Sequence, residues 1–213
     1  MFDLDITQIL LRLPAIIIAF AFHEFAHAFA ADKLGDNTPR LQGRLTLSPL
    51  VHLDPIGLIM ILISPIGWAK PVQVNPRNFK NYRRDDTIVS FAGPLANLSI
   101  AIAFAIILKV FYILNLFGIL GSDVGTNFNL ILQYIIQINV TLFVLNMLPI
   151  PPLDGSSILE NLTNIGRSDV YQTIKRYSFV IIIILLLTNI LDVIIIVPSG
   201  VILSFIYKVL MLF

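Results

Sequence analysis

The sequence predicts an all-α polytopic membrane protein with four to six transmembrane helices and a short membrane-associated β-hairpin or re-entrant segment after the first helix. Of the 213 residues, 57% are hydrophobic and only 13% are charged, whereas soluble domains carry about 25% charge. No long polar stretch is available to form a second domain. We therefore expect a single intramembrane domain over residues 1–213, with a core at 7–160 and C-terminal helices at 177–213.

Long apolar runs account for the predicted spans, because a helix needs about 20 apolar residues to cross the hydrocarbon core. The runs lie at about 7–34, 87–117, 127–148 and 177–197. Repeated alanines in the first run would allow other helices to approach closely. After the fourth run, a Pro-Ser-Gly break at 198–200 precedes a shorter apolar piece at 201–213, which could complete a hairpin.

The region between the first two spans is irregular. Residues 38–55 alternate weakly between polar and apolar and contain glycine and prolines, which favours short strands or an irregular hairpin. Residues 56–68 are apolar but reach only about 20 Å as a helix, against a core of about 30 Å. Pro65 and Gly67 interrupt them further, so we predict a re-entrant segment rather than a full span.

Basic residues predict the orientation. The stretches 33–55, 69–87 and 150–176 hold eleven of the fourteen lysines and arginines, and such loops stay on the cytoplasmic side. We therefore expect a multi-pass protein of the cell membrane with its N-terminus outside. The net charge of +1 gives no support to a nucleic-acid partner, and the apolar composition makes the lipid bilayer an expected partner.

The chemistry is concentrated in His23-Glu24-Phe25-Ala26-His27, within the first span. Histidines four residues apart lie on one helix face and can bind one metal ion from the same side. Glu24 can then accept a proton from metal-bound water without being a ligand. The chain has no cysteine, so a zinc site must use nitrogen and oxygen ligands. Polar groups in hydrocarbon are costly unless ligated or paired, which argues against a chance HExxH.

A catalytic zinc uses three protein ligands and keeps one position open. Asp154 is the best third ligand by position, since it follows the end of the third span in a proline-rich turn and Gly155 permits close approach. Asp154 could equally well be the cap of a helix that runs from Ser156 onward. The full set of candidates is His52, Asp54, Asp154, Glu160 and Asp192.

Three motifs together resemble the site-2 protease family of intramembrane zinc metalloproteases. They are the HExxH at 23–27, Phe-Ala-Gly-Pro-Leu-Ala-Asn at 91–97, and Asn-Met-Leu-Pro-Ile-Pro-Pro-Leu-Asp-Gly at 146–155. The stretches 43–55 and 67–72 are similar to the compact prokaryotic branch of the family, without a PDZ or CBS domain.

The resemblance implies one Zn²⁺ per chain, held by His23, His27 and Asp154, with Glu24 as the catalytic acid and base. It further implies that Asn146 contacts the substrate or the oxyanion. The expected activity is that of a zinc endopeptidase that cleaves membrane proteins in or near their transmembrane segments, as in regulated intramembrane proteolysis, with the active site toward the cytoplasm.

Two alternatives remain at this point. A non-hydrolytic membrane metal-binding or transport protein would keep the histidine pair but would not need Glu24. An inactive relative acting as a scaffold would need none of the chemistry, although every chemical residue is present.

Overall fold

The computed structural model describes residues 6–57, 60, 67–188 and 190–211, and most of these residues are helical. The helices are α1 (Ile6–Lys33), α2 (Thr38–Leu41), α3 (Pro49–His52), α4 (Tyr82–Ile113), α5 (Leu116–Ile119), α6 (Ser122–Asn146), α7 (Asp154–Leu162), α8 (Asp169–Arg176), α9 (Ser178–Leu187) and α10 (Ile190–Met211). Single 3₁₀ turns lie at Pro76–Asn78 and Ile165–Arg167.

Four helices are long and apolar enough to cross a membrane: α1, α4, α6 and the Ile190–Leu210 part of α10. The shortest has 21 residues and spans about 32 Å, which matches the hydrocarbon core. The prediction of a helical, multi-pass membrane protein is thus confirmed. The first three spans lie within a few residues of where the apolar runs place them.

The core of the bundle consists of α1, α4 and α6, each packed against the other two. The face of α1 in this core is made of small residues: Ala15, Ala19, Ala28 and Ala31 have no exposed surface. Such residues let helix backbones approach closely where apolar burial alone gives no drive for association. Further along the bundle, α10 packs on α4 and α6. Helix α1, which carries the HExxH sequence, thus packs against both α4 and α6.

The predicted boundaries of the last helices are wrong. The sequence suggests a span at 177–197 and a break at 198–200, but α9 ends at Leu187 and α10 runs from Ile190 through Pro198. A proline inside a membrane helix is tolerated because neighbouring groups and local adjustment satisfy the freed backbone. The ten residues of α9 reach only about 15 Å, so α10 is the helix that can cross.

The predicted β-hairpin at 38–55 is also wrong. These residues form the helical turns α2 and α3, and the described part of the chain contains one isolated bridge, Leu53 with Ala69, but no strand. Pro39 and Pro49 lie in the first turns of α2 and α3, where proline favours a helix. Most of the predicted re-entrant segment, 58–59 and 61–66, lies outside the described residues.

Asp36 joins the end of α1 to the segment that leads into α4. It has no exposed surface. Its carboxylate accepts hydrogen bonds from Thr38 N and Oγ1, Asn75 N and Asn78 Nδ2, at 2.5 to 3.1 Å. Burial raises the pKa of Asp36, but these hydrogen bonds outweigh it and hold the pKa below its ordinary value.

We expect Asp36→Asn to destabilise the protein by about 1–3 kcal/mol at neutral pH, because an amide cannot accept all four hydrogen bonds. The native pKa lies below the unfolded value of about 3.9, so the carboxylate contributes fully above that value. Its contribution is lost as the pH falls through the native pKa. Thermal unfolding in detergent should therefore show a Tm difference between Asp36→Asn and the wild type that narrows as the pH falls below about 3.9, while the exposed control Asp123→Asn changes little. A difference independent of pH would contradict this assignment.

Candidate metal centre

Three side chains from two helices converge inside the bundle. His23 Nε2 and His27 Nε2 lie 3.0 Å apart, and Asp154 Oδ2 lies 3.3 Å from the first and 3.4 Å from the second. The two histidine side chains are only 10% and 12% exposed. Together with Asp154, the two histidines form a group that could hold a metal ion.

Asp154 reaches the histidines because α7 begins at this residue and packs along α4. The chain returns from the end of α6 so closely that a Cβ on Gly155 would lie 2.4 Å from Met147 O and 2.5 Å from Leu148 O. Any side chain larger than hydrogen would therefore push the start of α7 away from the backbone at the end of α6. Gly155 thus allows the close approach that brings Asp154 to the cluster.

Hydrogen bonds from the far side of each ring fix which nitrogen faces Asp154. His23 Nδ1 donates to Asn97 Oδ1 at 2.7 Å, and His27 Nδ1 donates to Val89 O at 2.8 Å. The orientation of the Asn97 amide is set because its nitrogen donates to Ala19 O and Asn139 Oδ1. With protons on both Nδ1 atoms, both Nε2 lone pairs point into the cluster.

The cluster fits a zinc ion. Tetrahedral ligands about 2.0–2.1 Å from zinc lie about 3.3 Å from one another, close to the three separations here. Two imidazole lone pairs at 3.0 Å repel each other unless a cation or a proton lies between them. Within the described residues, the buried Asp154 Oδ2 has no hydrogen-bond donor. Two nitrogens and one carboxylate oxygen also form a ligand set known from catalytic zinc sites.

The backbone of α4 lies directly against the two imidazoles. A Cβ built on Gly93 would lie 2.4 Å from His27 Nε2 and 2.6 Å from His23 Cε1. This close contact explains the glycine in the Phe-Ala-Gly-Pro motif at 91–94. It also means that α4 closes one side of the cluster.

Glu24 is buried beside the first histidine and is not part of the three-residue group. Its Oε2 accepts a hydrogen bond from Val72 N at 2.7 Å. Val72 belongs to a non-helical segment between the isolated bridge at Ala69 and the 3₁₀ turn at Pro76. The carboxylate therefore touches a backbone segment that is distant in sequence.

The other candidate ligands lie outside the cluster. His52 is fully buried and its Nε2 donates to Thr46 O at 2.7 Å. Asp54 Oδ1 accepts from the backbone of Ile56 and Gly57. Glu160 forms an ion pair with Lys175 at 2.8 Å. Asp192 lies in the first turn of α10. None of these residues belongs to the His23–His27–Asp154 group.

Asn146, expected to contact substrate, lies at the last residue of α6. Its Nδ2 donates to Leu142 O, one turn back in the same helix, at 3.1 Å. The described contacts do not join it to the cluster, so its role stays a prediction.

The profile of Peptidase family M50 matches residues 12–189, which is most of the chain. The chain belongs to peptidase family M50. Several relatives carry provisional names as zinc metalloproteases, so this M50 peptidase is a membrane zinc metalloprotease.

YwhC of Bacillus subtilis is 40% identical over 175 residues, which cover 81% of this chain and 78% of the relative. Rip2 of Mycolicibacterium smegmatis is 32% identical over 180 residues, and Rip2 of Mycobacterium tuberculosis is 30% identical over 182. Both alignments cover 83% of this chain and 66% of the relative, so the chain spans about two thirds of each Rip2. No solved structure matches it significantly.

Sequence reasoning missed part of the M50 site. The sequence places Asn97 in the motif at 91–97 but does not predict its hydrogen bond to His23, and the bond between Asn97 and Asn139 is likewise not predicted. The available signal was an asparagine inside an apolar span, where an unpaired amide is costly. No sequence signal pointed to the bond from Val72 N to Glu24, because a backbone donor leaves no mark on residue type.

We expect Gly93→Ala to abolish stoichiometric zinc binding, since the added methyl would overlap both imidazoles. Metal analysis of the purified protein should fall from about one zinc per chain to a small fraction. Gly200→Ala is the matched control in α10, because a Cβ there meets nothing within 4 Å. Full zinc content in Gly93→Ala would contradict the close packing of α4 against a zinc site formed by His23 and His27.

We expect Asn97→Leu to weaken zinc binding about 10–100-fold, as is usual when the hydrogen-bond acceptor behind a ligating histidine is lost. Competition with a chromophoric chelator would measure the change in Kd. Asn129→Leu is the control, since Asn129 bonds Tyr112 and Gln133 away from the cluster. Equal zinc affinity of the Asn97 variant and the wild type would contradict the role of Asn97.

Proposed function

We propose that this zinc metalloprotease is an intramembrane endopeptidase that hydrolyses peptide bonds in or near transmembrane segments of other membrane proteins. The supporting observation is the convergence of His23, His27 and Asp154 within a bundle of membrane-crossing helices. His27 lies six residues before the end of α1, about 9 Å along the helix axis. A peptide bond cleaved there would have to lie within or beside the membrane.

His23, His27 and Asp154 would hold the zinc ion and leave its fourth position open for water or substrate. Bound there, zinc lowers the pKa of a water molecule and polarises a carbonyl group. The low exposure of the two histidines keeps these interactions in a medium of low dielectric constant, where they are stronger than in bulk water.

Glu24 is proposed as the general base and acid. Its position next to His23 places the carboxylate beside the site while Val72 N holds one of its oxygens. It would accept a proton as the water oxygen bonds to the scissile carbonyl carbon. It would then give that proton to the amide nitrogen as the C–N bond breaks.

Asn146 is proposed to donate its amide to the carbonyl oxygen of the substrate. Its bond to Leu142 O would have to be exchanged for this contact, which requires a side-chain rotation.

We infer that the N-terminus lies outside and that the site opens toward the cytoplasm. The end of α1 and the start of α7 lie at the same end of the bundle as the stretches rich in lysine and arginine, which favour the cytoplasmic side. In this proposal residues 1–213 form one domain, with α9 and α10 completing the bundle.

Glu24→Gln tests the proposed function. The wild type, purified into lipid vesicles with a single-span test substrate, should cleave it within or next to the span and should lose activity with a zinc chelator. Glu24→Gln should reduce the cleavage rate about 10²–10⁴-fold, the usual contribution of a general base. It should retain about one zinc per chain, because Glu24 is not a proposed ligand.

The control is Glu160→Gln, which changes the only other glutamate of the chain. Glu160 pairs with Lys175 and should be replaceable with little effect on cleavage. Wild-type cleavage by Glu24→Gln, or cleavage confined to soluble parts of the substrate, would refute the proposal.

A further inference from the structure

We propose that Arg44 is a positioning residue for Glu24 and acts through the peptide bond between Pro71 and Val72. The inference rests on the proposed role of Glu24 as the general base. It gives a function to the stretch 43–55, which supplies none of the proposed ligands or catalytic groups.

Arg44 is buried, with 5% of its surface exposed. No carboxylate of the described ranges forms an ion pair with it. Its guanidinium instead donates to three backbone carbonyls: Val51 O, Lys70 O at 2.6 Å and Pro71 O at 2.6 Å. A buried charge is costly, so a cation devoted to main-chain oxygens indicates that the position of this main chain matters.

The Pro71 carbonyl and the Val72 N–H belong to the same peptide group. A trans peptide is planar, so its C=O and N–H point in opposite directions. Arg44 binds the oxygen of this group, and Glu24 Oε2 accepts from its nitrogen at 2.7 Å. By fixing the plane of the peptide, Arg44 aims the Val72 N–H at the carboxylate of Glu24.

The backbone around Arg44, from residue 44 to residue 52, is itself held in place by hydrogen bonds. Arg44 N donates to Pro39 O at 2.8 Å, and Lys70 N donates to His52 O at 2.8 Å. His52 Nε2 closes the loop by donating to Thr46 O. The stretch from Arg44 to His52 thus holds residues 70–72 from one side, and α1 presents Glu24 on the other.

The side chain must be arginine for geometric reasons. A guanidinium has five donors in a rigid plane and can serve several carbonyls together, whereas a lysine ammonium has three donors on a flexible stem. Loss of the three bonds would let the 70–72 peptide rotate and release Glu24. A misplacement of about 1 Å can reduce a rate about 10²-fold, and this loss would appear in kcat.

The test compares Arg44→Gln, Arg44→Lys and Arg44→Ala with the wild type in the vesicle cleavage assay. Arg44→Gln should lower kcat about 10–100-fold, with KM within about twofold and zinc content unchanged. Arg44→Lys should lie between Arg44→Gln and the wild type. Added guanidinium ion should restore part of kcat to Arg44→Ala and none to Glu24→Gln.

A second readout does not depend on activity. Amide hydrogen exchange, followed in peptides that contain Val72, should be faster in Arg44→Gln than in the wild type, and also in Glu24→Ala, which removes the acceptor of the Val72 N–H. The matched control is Arg40→Gln, four residues earlier, where the arginine is exposed and pairs with Asp32. This control should leave kcat and the exchange of Val72 unchanged.

Wild-type kcat in both Arg44→Gln and Arg44→Lys, a change confined to KM, or unchanged exchange at Val72 would overturn the inference. If Arg44→Gln does not retain zinc, Arg44→Lys and the guanidinium rescue decide. Failure of the proposed function gives a different pattern: Glu24→Gln cleaves like the wild type, or the wild type does not cleave. The exchange measurement then still decides whether Arg44 fixes the orientation of the Val72 N–H.

Discussion

The structure depends on the buried convergence of three side-chain atoms that could hold a metal ion, in a bundle whose outer surface is apolar. A carboxylate oxygen and two imidazole nitrogens lie within 3.4 Å of one another, while apolar side chains such as Ile106, Val193 and Phe205 are exposed on the helices around them. Polar groups at this depth are stable only when ligated, paired or wetted. The requirement to satisfy them therefore constrains which helices approach α1 and where small residues must lie.

A chain of amides links this cluster to the helix packing. Asn139 Nδ2 donates to Ile135 O, its Oδ1 accepts from Asn97, and Asn97 bonds both Ala19 O and His23. Hydrogen bonds between membrane helices are worth only about 0.6 kcal/mol on average. Loss of the acceptor behind a ligating histidine costs about 10–100-fold in metal affinity, or about 1.4–2.7 kcal/mol. The larger value suggests that the amide chain matters more for zinc binding than for holding α1, α4 and α6 together.

The sequence predicts those features that depend on local periodicity. A spacing of four residues places His23 and His27 on one face, and long apolar runs mark three spans. Features set by tertiary contact are less accessible: Asp154 fits a cap as well as a ligand, and only the packing of α7 on α4 brings it to the histidines. The alternation at 38–55 was misleading because Pro39 and Pro49 start helical turns there. The hydrogen bonds that Arg44 makes to backbone oxygens cannot be predicted from the sequence either, because a backbone acceptor does not depend on residue type.

The site is built by two kinds of contact from two regions of the chain. The Asn97 side chain and the Val89 carbonyl, both on α4, orient the histidines from within the bundle. A backbone segment outside the spans instead holds Glu24 through Val72 N. Under the proposed mechanism, zinc binding and proton transfer by Glu24 should therefore be separable by mutation, since neither set of hydrogen bonds shares a residue with the other. The separation also explains the composition of 38–55. A segment that positions Glu24 through backbone hydrogen bonds needs tight turns, such as the one at Gly43 with φ +68°, more than it needs reactive side chains.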